Sequence, residues 1–158
     1  MTTTPSVLFV CLGNICRSPL AEAAFRKAAA EAGLEAIADS AGTAAYHIGR
    51  PPDPRSITTA ARRGIDILGY RGRQISPEDY TSFTHIYALD SANLRDIRRR
   101  APDGATAEIA LLMDVIEGRE GQPVIDPYHG GQDDFEATWA DVSAAAEALV
   151  ARLLTGRD

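Results

Sequence analysis

The stretch of residues 7–18, which reads Val-Leu-Phe-Val-Cys-Leu-Gly-Asn-Ile-Cys-Arg-Ser, constrains the fold more than any other part of the chain. Its first four residues are apolar and mostly β-branched or aromatic, which predicts a short buried strand. Ser18, Pro19 and the alanine-rich sequence after them predict a helix, with Ser18 as N-cap and Pro19 as first helical residue. The chain therefore passes from the carboxyl end of a strand, through a short loop, to the N-terminus of a helix.

A loop in this position is suited to binding a dianion. It presents unpaired backbone N–H groups and the positive end of a helix dipole, which also favour the nucleophilic thiolate form of a cysteine. Cys11 opens the loop and Arg17 closes it. Gly13 and Asn14 tolerate unusual backbone angles, so the N–H groups between the ends can point inward. The planar guanidinium of Arg17 can then bind two oxygens of a phosphoryl group.

The bulk composition excludes several classes of protein. With 158 residues, 45% hydrophobic and 24% charged, the chain is long enough for one domain and has the composition of a soluble globular protein. Its net charge of −6 argues against a nucleic-acid partner, which usually binds a basic patch. No apolar run approaches the ~20 residues of a membrane span and no signal-peptide core follows Met1, so a cytoplasmic location is expected.

Cysteine usage supports the same location. Cys11 and Cys16 are the two cysteines of the chain, too few for the disulfide framework of a secreted protein. Their close spacing indicates either a redox-sensitive pair or two independent thiols. They lack the partner ligands of a zinc site, and we expect neither a metal nor a cofactor.

Hydrophobic periodicity and turn residues predict alternating strands and helices, and Asp53 with Pro54 reads as the start of the second long helix. Strands are predicted over 6–10, 35–40, 83–89 and 108–112, and helices over 18–32, 53–63, a short segment after 76, 90–101 and 135–153. This alternation predicts an α/β fold: a single domain over residues 1–158, with a central four-stranded parallel sheet and helices on both faces. The loop over 41–53 is long enough to indicate a function.

Cys-x5-Arg-Ser-Pro between a strand and a helix resembles the phosphate-binding loop of the low-molecular-weight protein tyrosine phosphatases. Residues 11–19 follow that family's signature throughout, and segments 39–43, 49–55, 73–75 and 90–95 resemble further family blocks. The resemblance implies a phosphotyrosine-bearing protein as substrate and inorganic phosphate as product. It also suggests a bacterial tyrosine kinase as a partner.

The resemblance implies a covalent mechanism on this loop. Cys11 attacks phosphorus in line and forms a cysteinyl-phosphate, while backbone amides and Arg17 hold the equatorial oxygens. Ser18 donates to the Cys11 sulfur and stabilises it as a leaving group, in addition to its expected role as a helix cap. The phosphate-binding residues between the nucleophile and the helix are Leu12, Gly13, Asn14, Ile15 and Cys16.

Asp126 is the candidate for the acid that such a reaction requires, because the leaving phenolate needs a proton. By itself, Asp126-Pro127 is most simply a turn. The resemblance supplies the functional interpretation, since the similar phosphatases carry their general acid in an Asp-Pro-Tyr of this C-terminal region. Asp126 would protonate the leaving oxygen and then deprotonate the attacking water.

The resemblance also places residues around the loop. Asn14 and Ser40 are expected to hydrogen-bond and hold the loop, although both are also ordinary turn residues. Apolar and aromatic side chains are expected to wall a cleft deep enough for phosphotyrosine and too deep for phosphoserine. These wall residues are Leu12, Tyr46, Tyr128 and His129.

Two positions depart from the family pattern. Tyr70 stands where many relatives have a histidine in the loop-bracing network, and its hydroxyl could bond to Asn14 or Ser40 instead. His129 stands where the family has a second tyrosine after Asp-Pro. An imidazole at the rim of the cleft could add pH dependence and alter substrate preference.

Three alternatives share parts of this pattern. Thioredoxin-coupled arsenate reductases have the same loop but need two further cysteines downstream, and this chain has none after Cys16. A related arginine phosphatase carries a threonine where this chain has Ile15, so Ile15 favours phosphotyrosine. A non-catalytic anion-binding module would require neither the thiol of Cys11 nor the carboxyl of Asp126.

Overall fold

A four-stranded parallel sheet forms the centre of the computed structural model, which describes residues 4–156. Its strands are β1 (Ser6–Cys11), β2 (Ile37–Gly42), β3 (His85–Ala88) and β4 (Glu108–Leu111). Their order across the sheet is β2-β1-β3-β4, and every neighbouring pair is parallel. The predicted α/β class and four-stranded sheet are confirmed, while residues 1–3 and 157–158 of the predicted domain lie outside the described part.

In the described part of the chain, five α-helices surround the sheet, and a short 3-10 helix, Leu112–Val115, follows β4. The α-helices are α1 (Arg17–Ala32), α2 (Pro54–Ala61), α3 (Asp79–Ser82), α4 (Ser91–Arg100) and α5 (Gln132–Leu154). Between residues 4 and 156, no helix is both long and apolar enough to cross a bilayer.

Alternate side chains of the central strands enter two separate cores, as expected for a sheet covered on both faces. Phe9 of β1 packs with Phe25 of α1 and Tyr87 of β3, in the core shared with α5. Its neighbour Leu8 enters the second core with Ile97 of α4. Burial on both faces fixes the register of β1 and with it the position of Cys11 at the strand end.

The ends of β2 differ from the predicted ones because backbone hydrogen bonds and strand pairing set them. β2 begins at Ile37, whose N–H bonds to the carbonyl of Pro5, and it extends to Gly42, opposite Cys11. At α2 the prediction is confirmed, because Asp53 is the N-cap and its side chain accepts from the backbone N–H of Arg55 at 2.8 Å.

The predicted cap of the first helix is wrong. α1 begins at Arg17, its N-cap is Cys16, and that cap makes no side-chain hydrogen bond. Ser18 is the second residue of the helix and is fully buried, and its hydroxyl bonds to other side chains. The serine is therefore available to the loop that precedes the helix.

The strand order creates a crevice at the carboxyl end of β1. β1 has β2 on one side and β3 on the other, so the connections that leave these strands diverge at this edge. In open α/β sheets such a point is where ligands bind. The candidate loop, residues 11–17, lies there.

Candidate active site

The loop between β1 and α1 has one unusual backbone conformation. Asn14 has φ 58°, and no other non-glycine residue in the described part of the chain has a positive φ. Asparagine tolerates this left-handed region better than most residues. Gly13 does not have a positive φ. Gly13 is constrained by space, since a Cβ there would lie 3.0 Å from Cδ2 of His47.

Cys11 is buried at the base of the loop, and its sulfur lies 3.1 Å from the hydroxyl oxygen of Ser18. That oxygen accepts a hydrogen bond of 2.8 Å from Nδ2 of Asn14. Because the serine accepts from Asn14, its own hydrogen is free to donate to the sulfur. This arrangement allows the Ser18 hydroxyl to donate to the sulfur.

Asn14 is held from several directions. Its Nδ2 also donates to the hydroxyl of Ser40 at 3.0 Å, and its Oδ1 accepts from the backbone N–H of Arg73 at 3.1 Å. Ser40 in turn donates to Oε1 of Glu22 at 2.8 Å. Asn14, Ser40 and Glu22 are all buried, so this chain of hydrogen bonds makes the loop rigid.

Tyr70 does not make the predicted direct contact with this network. The hydroxyl of Tyr70 interacts with Arg26, and burial raises the pKa of Tyr70. Arg26 pairs with Glu22 at 2.8 Å. Tyr70 is therefore linked to the network through Arg26, which pairs with Glu22.

Arg17 is buried, and an acidic partner that the sequence did not reveal holds its guanidinium. Nη1 of Arg17 donates to Oδ2 of Asp90 at 2.8 Å and to the carbonyl of Val124 at 2.9 Å. The other oxygen of Asp90 caps α4 by accepting from the backbone N–H of Asn93. The position of Asp90 between a predicted strand and a predicted helix indicated an N-cap, but nothing in the sequence indicated that it contacts Arg17.

Asp126 lies at the same edge of the sheet. Its Oδ2 is 4.0 Å from Nη2 of Arg17, and its side chain is 50% exposed. Its Oδ1 accepts from the backbone N–H of Tyr128 at 3.1 Å, which closes a turn at Asp126-Pro127. The segment that carries Asp126 thus lies next to the loop that carries Cys11 and Arg17.

These elements enclose a cleft of about 270 Å³. The predicted wall residues all border it, and so does His47, which the sequence reasoning missed although it follows Tyr46 in the long loop. The residues that line the cleft are Cys11, Leu12, Gly13, Ile15, Cys16, Arg17, Tyr46, His47, Asp126, Tyr128 and His129. A thiol, a guanidinium and a carboxyl therefore share one cavity with apolar and aromatic walls.

Comparison with known proteins agrees with this geometry. The family described as "Low molecular weight phosphotyrosine protein phosphatase" matches residues 6–157. The chain belongs to this family. It is 46% identical over 138 residues to the phosphatase of that name from Schizosaccharomyces pombe, covering 85% of this chain and 88% of the relative.

Solved structures of the phosphatase family share the whole fold. YfkJ from Bacillus subtilis matches with a TM-score of 0.90 and 39% identity over 99% of both chains. DARP, the drosophila arginine phosphatase, matches with a TM-score of 0.87 and 31% identity, over 93% of this chain and 96% of that chain. The fold is thus shared by YfkJ, named a low molecular weight protein-tyrosine-phosphatase, and by a protein named an arginine phosphatase.

The two cysteines of this phosphatase lie in different environments. Both are free and buried, but only Cys11 contacts the hydroxyl of Ser18. Burial, followed by the charge of Asp53, raises the pKa of Cys16 far above that of an ordinary thiol. Cys16 is therefore protonated at neutral pH. No cluster of three or more metal-binding side chains occurs within residues 4–156.

Proposed function

We propose that the protein hydrolyses phosphotyrosine in proteins, with Cys11 as nucleophile, Arg17 as phosphate clamp and Asp126 as general acid and base. The observation that carries this proposal is the convergence of these three side chains on one cleft. Cys11 and Arg17 are the two buried ends of a hydrogen-bonded loop, and Asp126 approaches Arg17 to 4.0 Å from a segment far along the chain.

In the first step the Cys11 thiolate attacks phosphorus, and a sulfur–phosphorus bond forms as the bond to the tyrosine oxygen breaks. The electron pair of that bond leaves with the phenol oxygen, which takes the proton of Asp126. The backbone N–H groups of the loop, from Leu12 to Cys16, and the guanidinium of Arg17 bind the equatorial oxygens. Asp90 and the Val124 carbonyl keep that guanidinium in place.

In the second step a water molecule attacks the cysteinyl-phosphate. The Asp126 carboxylate accepts the proton of the water, and the sulfur–phosphorus bond breaks with its electron pair on sulfur. Ser18 stabilises the departing thiolate by donating to it, an orientation supported by the bond that it accepts from Asn14. Inorganic phosphate leaves as the product.

The walls of the cleft support an aryl phosphate as the substrate. Leu12, Tyr46, Tyr128 and His129 stand around Cys11, so that a flat ring can lie between them while its phosphate reaches the loop. A phosphorylated bacterial tyrosine kinase is one protein substrate of this kind. A reactive thiol also requires a reducing compartment, which supports a cytoplasmic location.

A panel of three phosphopeptides tests the proposal, with phosphotyrosine, phosphoserine and phosphoarginine in the same sequence and arsenate reduction assayed in parallel. We expect turnover of phosphotyrosine far above that of the other two, and no arsenate reduction. Ile15 borders the cleft and offers no hydroxyl to a guanidinium. Preferred turnover of phosphoarginine, or arsenate reduction coupled to thioredoxin, would contradict the proposal.

A further inference from the structure

The segment 125–130, here called the acid loop because it carries Asp126, is exposed to solvent at most of its residues. The chain is anchored at both ends of this segment. Val124, before it, is buried and donates to the carbonyl of Leu89 at 2.8 Å. Gln132, after it, donates to the hydroxyl of Thr59 at 2.7 Å. The position of Asp126 between these anchors depends on what holds the loop itself.

Arg55 of α2 provides that support. Its Nη2 donates to the carbonyl of Tyr128 at 2.9 Å, and its Nη1 donates to the carbonyl of Gly130 at 2.7 Å. Among residues 4–156, the remaining polar contact from outside the acid loop is the 4.0 Å approach of Arg17 to Asp126. The guanidinium of Arg55 also lies 4.4 Å from the ring centroid of Phe135 and 5.8 Å from that of Tyr128.

The other side of the same guanidinium is tied to the phosphate loop through Asp53. Arg55 donates through Nε to Oδ1 of Asp53 and through Nη2 to Oδ2, each at 3.0 Å. The backbone N–H of Asp53 donates to the carbonyl of Ile15 at 2.8 Å. Burial alone would raise the pKa of Asp53, but the hydrogen bonds from Arg55 outweigh it and lower that pKa, so the carboxylate stays charged.

We propose that Arg55 is a positioning residue that joins the acid loop to the phosphate loop and so sets the distance between Asp126 and the bound phosphate. This inference rests on the proposed function. The line of contacts runs from Ile15 through Asp53 and Arg55 to the carbonyls of the acid loop. Arg55 touches neither Cys11 nor the reacting atoms, and it acts through Asp126.

Arginine is required for this task by geometry. One planar fork must bond to a carboxylate on one edge and to two carbonyls on the other, while its face lies against an aromatic ring. A lysine ammonium keeps the charge but is a single point on a flexible stem. Arg55→Lys therefore tests the planar geometry of the guanidinium while keeping the charge. Arg55→Gln removes the geometry and the charge together.

The experiment measures kcat/KM for a series of aryl phosphates, from p-nitrophenyl phosphate, whose phenolate leaves readily, to phenyl phosphate, which depends on the acid. Misplacing a catalytic group by about 1 Å can cost ~10²-fold, so we expect Arg55→Gln to lose about 10- to 100-fold on phenyl phosphate. On p-nitrophenyl phosphate we expect Arg55→Gln to lose at most about 3-fold in kcat/KM, since this leaving group needs little protonation. Arg55→Lys should fall between the wild type and Arg55→Gln.

Arg63→Gln is the matched control. Arg63 immediately follows the C-cap of α2, pairs with Glu136 at 2.6 Å, and lies over the ring of Trp139 on α5. It thus makes the same kinds of contact between α2 and α5, but none with the acid loop. We expect its kcat/KM to follow the wild type across the whole series, even if its stability falls.

Two further measurements separate positioning from general damage. Inhibition by inorganic phosphate reports the phosphate loop and should remain within about 3-fold of the wild type in both Arg55 variants. In an Asp126→Ala background, Arg55→Gln should add no further loss on phenyl phosphate, because the group that it positions is already absent.

An equal loss for all leaving groups, weakened inhibition by phosphate, or full additivity with Asp126→Ala would overturn the role of Arg55. If Arg55→Gln does not fold, the same criteria apply to Arg55→Lys. The proposed function fails separately: if Asp126→Ala itself shows no dependence on the leaving group, Asp126 is not the acid. If Asp126→Ala shows that dependence and the Arg55 variants do not, only the positioning role is excluded.

Discussion

The two loops that meet at the cleft are built in opposite ways. In the phosphate loop, Cys11, Asn14, Cys16 and Arg17 are buried, and hydrogen bonds with Ser18, Ser40 and Arg73 fix the side chain of Asn14. In the acid loop, Pro127 is buried, the other residues are exposed, and the side chain of Asp126 is half exposed. The phosphate loop is held by hydrogen bonds from its buried side chains to several neighbouring segments, whereas the acid loop is held at its ends and by Arg55.

This difference matches what each loop must do. A site that stabilises charge in a transition state gains from donors that are already in position, since none then has to reorganise. A general acid must exchange its proton with solvent in every cycle, so an exposed carboxyl is an advantage. The contrast predicts that changes in the phosphate loop affect both activity and stability, whereas changes in the acid loop affect activity alone.

Arg17→Lys should have the largest effect on both quantities. Lysine cannot bind two phosphate oxygens and also satisfy Asp90, so we expect kcat/KM to fall by about 10²- to 10³-fold. The lost hydrogen bonds to a buried charged group should cost about 1–3 kcal/mol in the free energy of unfolding. Steady-state kinetics and urea denaturation measure the two effects. The control is Arg62→Lys, at an exposed pair with Glu136.

Asp126→Asn should separate activity from stability. The amide cannot donate an acidic proton, so kcat/KM for phenyl phosphate should fall by about 10²-fold or more, with a smaller loss for p-nitrophenyl phosphate. Because the side chain is half exposed, the free energy of unfolding should change by less than about 0.5 kcal/mol. A loss of stability as large as that of Arg17→Lys would remove the contrast between the loops.

Ser40→Ala tests the hydrogen bonds by which β2 braces the phosphate loop, without touching the phosphate. It removes an acceptor of Asn14 and the donor to Glu22, so buried polar groups lose partners, at a cost of about 1–3 kcal/mol in unfolding free energy. Activity should fall less than in Arg17→Lys, because the reacting groups remain. Ser91→Ala, at an exposed serine of α4, is the control and should leave both quantities unchanged.

The smallest effect concerns pH. Burial raises the pKa of Glu22 above its ordinary value of 4.5, although the hydrogen bonds from Ser40 and Arg26 oppose the shift. Asp39 and Tyr70 are the other titratable groups that face it. A carboxyl with a raised pKa in the folded state contributes stability below its ordinary pKa and loses that contribution as pH rises through the raised value.

Glu22→Gln removes this titration. The unfolding free energy of the wild type relative to Glu22→Gln should therefore decline as the pH is raised from about 4 to 8. Urea denaturation across that range measures the decline. Glu31→Gln, at an exposed glutamate paired with Lys27, should show no such trend. A relative stability of the wild type that increases with pH would show that the ion pair with Arg26, rather than burial, dominates at Glu22.

The local features of the fold could be predicted from the sequence because each depends on adjacent residues. The apolar run before Cys11 predicted β1, and Asp53-Pro54 predicted the start of α2. The helix cap at Ser18 was wrong because a competing partner, the Cys11 sulfur, takes its hydroxyl. A local pattern cannot show that a side chain has a better partner in the loop before it.

Contacts between distant segments could not be predicted in the same way. Asp90 pairs with Arg17 across 73 residues, and Arg55 reaches the carbonyls at 128 and 130 across at least as many. The sequence left Asn14 and Ser40 open as partners of the Tyr70 hydroxyl, which interacts with Arg26 instead. Such pairs depend on how the helices pack on the sheet, and a backbone carbonyl that serves as a partner leaves no trace in the sequence.

The central claim is that phosphate passes through the sulfur of Cys11. Rapid quenching of the wild-type enzyme during turnover of a radiolabelled phosphotyrosine peptide, followed by peptide mapping, tests it directly. The account predicts phosphate on the peptide that contains Cys11, with no labelled peptide and at least about 10⁴-fold lower turnover in Cys11→Ser. Label on another residue, or turnover that persists in Cys11→Ser, would contradict it.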